Sequence, residues 1–110
     1  MKLSRESAEK IIAVIERDCF TRFTYRDRDG NTCAIGALAI AAEVGYLLPP
    51  PQKHAAPVRA LDDLSYALQA AYGVDEEVLT MIQWHNDDCS TPEERRSRIR
   101  HTLLAYVQSE

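Results

Sequence analysis

The sequence has few cysteines, no long apolar run, and a stretch without basic residues. Three cysteines, Cys19, Cys33 and Cys89, are an odd number at irregular spacing, which argues against a disulfide framework and for reduced thiols in a cytoplasmic protein. The longest apolar run, Cys33 to Ala42, falls well short of the roughly 20 residues a membrane span needs. The opening Met1-Lys2-Leu3-Ser4-Arg5-Glu6 is too polar for the apolar region of a secretion signal. Neither Lys nor Arg occurs between Arg59 and Arg95. Over the whole chain 13 Lys and Arg face 17 Asp and Glu, a net charge of −4, the wrong sign for a general nucleic-acid binder.

What is present is ordinary for a globular protein. The 110 residues are 45% hydrophobic and 27% charged, enough for one helical domain over 1–110 with a modest core. The expected class is mainly α, a compact five-helix bundle around a buried central helix at about 33–44. The aromatic and β-branched stretch Phe20 to Tyr25, followed by a polar turn, leaves room for one short β-hairpin near 20–32.

Local signals place the helices. Ser4 can cap a first helix over 5–18, with Leu3 stapling onto Ala8 and with Ala8, Ile11, Ile12, Ile15 and Cys19 on one face. Thr32 can cap the second, which has no polar residue until Glu43 and stops at Gly45. Pro49, Pro50, Pro51 and Pro57 bound a loop. A third helix over 58–72 turns Leu61, Leu64, Leu68 and Ala71 inward and is closed by Gly73. Asp75 caps a fourth over 76–85 that buries Val78, Leu79 and Ile82. Thr91-Pro92-Glu93-Glu94 combines an N-cap, a proline at the first helical position and a capping box, and starts a fifth helix that runs to about 108 with Ile99, Leu103, Ala105, Tyr106 and Val107 as its apolar contacts.

Charge is unevenly spread. Residues 60–94 carry nine acids and no Lys or Arg, whereas 95–110 carry four arginines and one acid. The candidate binding residues are therefore Asp62, Asp63, Asp75, Glu76 and Glu77, with Trp84, Asn86 and Asp87 at the following turn. The Arg95–Arg100 cluster is the nearby source of neutralising charge.

Other constellations are weaker. Asp27, Asp29 and Asn31 resemble a calcium loop, but Thr32 stands where glycine is required and Leu38 where glutamate is. His85 and Cys89 are separated suitably for zinc but lack a Cys-x-x-Cys partner pair, so no metal or cofactor is expected. Helices three and four have the outline of a helix-turn-helix, yet the would-be reading helix opens with Asp75-Glu76-Glu77, which phosphates would repel. Cys33, at a helix N-terminus where the dipole favours thiolate, and His85 are the weak candidates for thiol catalysis.

Cys33-Ala-Ile-Gly-Ala-Leu38, then Ala71-Tyr72-Gly73, and Ile82-x-Trp84-x-Asn86-Asp87 before Thr91 resemble a family of small uncharacterised bacterial and phage proteins. Its pattern is a Cys-Ala-Ile-Gly-Ala-Leu helix start and a Trp-Asn-Asp turn. The likeness spans about 33–107, and His85 is an insertion between Trp84 and Asn86. It carries no established activity. It implies that the segment from Cys33 to Leu38 meets Asn86-Asp87, where an Asn or Asp side chain can accept N–H groups from the opening of the second helix.

The expected function is binding of another protein with a basic surface, as a regulatory or phage-type accessory factor, with no membrane and no direct nucleic-acid contact. The alternatives are a Cys33-dependent enzyme and an acidic inhibitor that mimics nucleic-acid phosphates.

Overall fold

Five α-helices account for most of the chain in the computed structural model, which describes residues 3–18, 29–48, 62–89 and 91–109. They are α1 (Arg5–Asp18), α2 (Ala34–Ala41), α3 (Asp62–Tyr72), α4 (Glu76–Asp88) and α5 (Pro92–Ser109), with a short 3₁₀ turn at Gly45–Leu47. No described residue belongs to a β-strand, and Thr32 forms an isolated bridge. The hairpin expected near 20–32, Cys19, Leu61 and the start of the third helix expected from 58 lie largely or wholly outside the described residues.

Apolar spacing sets the packing. In α1, Ala8, Ile11, Val14 and Ile15 are buried, and Leu3 folds under the helix start. In α3, Leu64, Leu68 and Tyr72 face inward; in α4, Val78, Leu79 and Ile82 do. Together with Ile99 and Leu103 of α5 they join one hydrophobic cluster. Helix α2 packs against α1, α3 and α4, and α5 closes the bundle against α1 and α4. Six of the eight residues of α2 are buried, as expected of a helix apolar on every side. It reaches solvent only at its end, where Ile40 is 47% exposed.

Caps hold where the sequence placed them at three helix starts. Ser4 Oγ accepts the Ser7 N–H at 3.1 Å, Asp75 Oδ1 that of Val78 at 3.2 Å, and Thr91 Oγ1 that of Glu94 at 3.2 Å. Gly73, at φ 65°, closes α3 in the left-handed region that glycine tolerates best.

Four local expectations are corrected. The N-cap of α2 is Cys33 rather than Thr32, with the sulfur accepting the Gly36 N–H at 3.4 Å. Helix α2 ends at Ala41, not near Val44. Its stop residue is Glu43, at φ 62°, with Glu43 N–H bonded to Ile40 O at 3.1 Å and Val44 N–H to Ala39 O at 2.9 Å, the paired bonds of a Schellman end. Gly45 instead starts the 3₁₀ turn. Helix α4 continues to Asp88, so Asn86-Asp87-Asp88 is helical rather than a turn. On α5, Ala105 is exposed, turned away from the face that buries Ile99 and Leu103, and Tyr106 is 37% exposed although helical spacing puts it on that face.

Glu43 supports a test. A non-glycine residue in the left-handed region is strained by roughly 1 kcal/mol. Glu43→Gly should raise stability by about 0.5–1 kcal/mol, read as a higher urea midpoint at unchanged slope.

Candidate functional site

Helix α4 carries most of the residues singled out by the sequence and has two working faces. With about 100° of rotation per residue, Val78, Leu79, Ile82 and Asn86 share the buried side. Glu76, Glu77, Thr80 and Trp84 fall on the opposite side, with Met81 at its edge.

The inner face holds a polar junction. Asn86 is fully buried, and its Oδ1 accepts the Ala34 N–H at 3.0 Å. The opening of α2 and the Asn86-Asp87 pair therefore meet. Asn86 Nδ2 donates to Asp87 Oδ1 at 3.1 Å, and Gln83 Nε2 donates to Asp87 Oδ2 at 2.9 Å. The Cys33 thiol, buried at 0% exposure, donates toward Gln83 Oε1 at 4.0 Å. The chemistry of this cluster is that of a helix clamp: amide and thiol groups satisfy N–H donors that no water reaches.

Gln83 was not singled out from the sequence. Its signal was its spacing, one helical turn before Asp87 and on the same flank of α4.

His85 lies on the other flank, about 200° around the helix from Gln83. The charges acting on it are Arg98 and Asp88, and burial is the main influence that holds its pKa below the ordinary 6.5, with Arg98 adding to the shift and Asp88 opposing it. Its Nδ1 is buried without a hydrogen-bond partner. The structure thus does not bring His85 to Cys33 as a base would have to be brought to a nucleophile. Among the described residues no three His, Cys, Asp or Glu side chains are grouped to hold a metal ion.

The outer face differs in kind. Trp84 is 70% exposed, and an open groove of about 310 Å³ is lined by Glu76, Glu77, Thr80, Met81 and Trp84. Asp63 is exposed on α3. Asp62 begins α3, and its side chain lies outside the described set. Asp75 is engaged as the α4 cap. Thr80 and Met81 are groove residues that the sequence reading passed over, although each lies four residues from an acid, Glu76 or Glu77 respectively.

The arginines of α5 engage the opposite end of α4 and the end of α1. Arg98 meets Asp88 at 2.8 Å, Arg96 donates to the Glu16 carbonyl at 3.1 Å, and Arg100 meets Glu16 at 3.6 Å. The buried Arg95 donates from Nε to the Cys89 carbonyl at 3.0 Å. Glu76 and Asp88 are about 18 Å apart along the helix axis.

Two measurements check this division. Asn86→Ala should cost about 2–4 kcal/mol in chemical denaturation, combining a cavity with a stranded N–H. Cys33→Ala should cost about 1 kcal/mol and keep the fold. For His85, the unfolded chain takes up the proton more readily than the folded one. Stability should therefore be complete above the ordinary pKa and fall as pH drops through it toward the lowered folded value. A pH series of thermal midpoints should show this loss in the wild type and not in His85→Gln.

No curated protein and no solved structure matches the chain. One family does, described as a family of unknown function (DUF6197), over residues 5–102. The match takes in α1, which the resemblance read from the sequence had left out, together with the Cys33 helix start and the α4 segment that meet in the buried junction. No helix among the described residues is long and apolar enough to cross a membrane. With nearly its whole length matched, this chain belongs to DUF6197.

Proposed function

We propose that this chain acts by binding another protein through the outer face of α3 and α4, as a cytoplasmic regulatory or accessory factor of the bacterial and phage kind. The observation that carries the reading is the exposed indole of Trp84 set beside Met81, Glu76 and Glu77 on a helix whose other face is committed to the core. An exposed tryptophan next to a thioether is unfavourable in water, and it is a side chain that protein interfaces use as an anchor. Asp63, Glu76 and Glu77 point to water in a segment without Lys or Arg, and the α5 arginines engage the far end of α4. Carboxylates therefore dominate the surface along α3 and the start of α4, with Lys10 at the end of α3, and such a surface accelerates association with a basic partner in a salt-dependent way.

The acids at the start of α4 also favour its helix dipole by a few tenths of a kcal/mol, a contribution too small to account for the neighbouring exposed indole.

The test joins capture to kinetics. Tagged protein is used to capture its partner from native lysate, and association is then measured across a salt series. Replacing Asp63, Glu76 and Glu77 together by Ala should slow association and flatten its salt dependence, with the unfolding midpoint nearly unchanged. Association at the wild-type rate at every salt concentration would reduce the acidic face to a solvated surface. A captured nucleic-acid-binding protein released by competing DNA would replace this reading with the phosphate-mimicking inhibitor.

A further inference from the structure

We propose that the junction of α4 and α5 is an acid-sensitive latch: a neutral His85 keeps the seam closed, and proton uptake by its imidazole opens the seam and uncovers Cys89. Three observations place the parts. Among the described residues, His85 Nδ1 is buried and has no hydrogen-bond partner. Asp88, one turn further along the same flank of α4, is bridged at 2.8 Å to Arg98 of α5. Cys89, the residue that ends α4, is 4% exposed and lines the groove at this seam together with Asp88, Arg98 and His101.

The neutral ring needs no proton on Nδ1, but in the imidazolium both nitrogens are donors. Protonation therefore leaves a buried N–H without an acceptor, which is unfavourable. The charges acting on the ring are Arg98 and Asp88. Asp88 is already held by Arg98, and the guanidinium opposes a second cation beside it. Glu93, Glu94 and His101 of α5 lie along the groove, while α2, which also packs on α4, has no titratable side chain over Ala34–Ala41. In the open seam Nδ1 reaches water, and Asp88 can turn from Arg98 to the imidazolium, since an ion pair this exposed is weak. Burial first and Arg98 second hold the closed-state pKa below the ordinary 6.5, with Asp88 opposing them. The open form thus takes the proton that the closed form excludes, and opening rises as pH falls through 6.5 toward the lowered value. The bond between Asn86 and the Ala34 N–H has no titrating member, so the bundle stays assembled while the seam opens.

Thiol labelling tests the latch in the full chain. A dipyridyl disulfide is reacted with the protein from about pH 7.5 down to about pH 5. Each rate is divided by that of an unstructured cysteine peptide at the same pH, which removes the titration of the thiol itself. Peptide mass mapping then assigns the label. Cys89 should react faster than Cys33, which is fully buried in the core, because the seam opens without the bundle unfolding. The corrected Cys89 rate should rise about fivefold as pH falls, in step with the His85 ring titration followed by NMR. His85→Gln should abolish the rise while its circular dichroism stays that of the wild type. A common rate for Cys89 and Cys33 would show global unfolding alone and overturn the latch. A corrected Cys89 rate that is flat with pH would overturn it equally, as would the same rise in His85→Gln.

Discussion

The hydrogen bond from the Ala34 N–H to Asn86 Oδ1 is the contact on which the arrangement of this bundle depends. A helix apolar on every side belongs in the interior, but its first N–H groups have no partner within the helix. Left unpaired away from water, each costs about 1–3 kcal/mol, a large part of the roughly 5–15 kcal/mol that keeps a typical domain folded. Two donors at the start of α2 are met without solvent, that of Ala34 by Asn86 and that of Gly36 by the Cys33 sulfur. Further along, the Tyr72 hydroxyl donates to the Leu38 carbonyl at 2.7 Å. Burial pushes the Tyr72 pKa up to about 12, a shift that Arg17 opposes, so the phenol stays a neutral donor at ordinary pH. The α3–α4 hairpin is thus tied to α2 through directional bonds as well as through apolar contact.

That tie fixes how α4 is rotated. Once Asn86 must face α2 and Val78, Leu79 and Ile82 must face the core, helical geometry leaves Glu76, Thr80 and Trp84 facing solvent. Exposure of the one tryptophan is therefore a consequence of the inner clamp. Stability and surface chemistry reside on opposite sides of one helix, which allows the outer residues to change without disturbing the junction. At the other end of α4, Arg95 and Arg98 hold α5 through the Cys89 carbonyl and Asp88. At its own end α3 is held to α1, where Lys10 donates to the Ala71 carbonyl at 3.1 Å, a cation at the negative end of a helix.

Much of the fold was legible because its signals are local. An N-cap needs only a short polar side chain within three residues of the N–H it accepts, so Ser4, Asp75 and Thr91 could be read directly. Gly73 closes α3 for an equally local reason. The core positions of α1, α3 and α4 followed from their 3 and 4 spacing. The misread boundaries were those that depend on neighbours. Thr32 is the more usual cap, yet Cys33 takes that place while Gln83 Oε1 accepts a hydrogen bond from its thiol. Glu43 takes a left-handed backbone that a glycine at its own position would have announced, whereas Gly45 two residues on pointed to a later end. In α5, apolar content suggested Ala105 as a contact, but a helix docked on two neighbours buries only the side that meets them.

The site divides along the same line. Composition and spacing by themselves determined five helices and an acidic stretch from 60 to 94, and the family resemblance implied the encounter of the Cys33 helix start with Asn86. Only the tertiary structure decided that Asn86 and Asp87 serve the interior while Trp84, Glu76 and Glu77 serve the surface, and that His85 stands on the flank of α4 away from Gln83, the residue that meets Cys33. Helical periodicity states which residues share a face, but the direction of that face is set by the element packed against it. Here that element is α2, whose buried N–H groups require Asn86 and so turn Trp84 to the solvent.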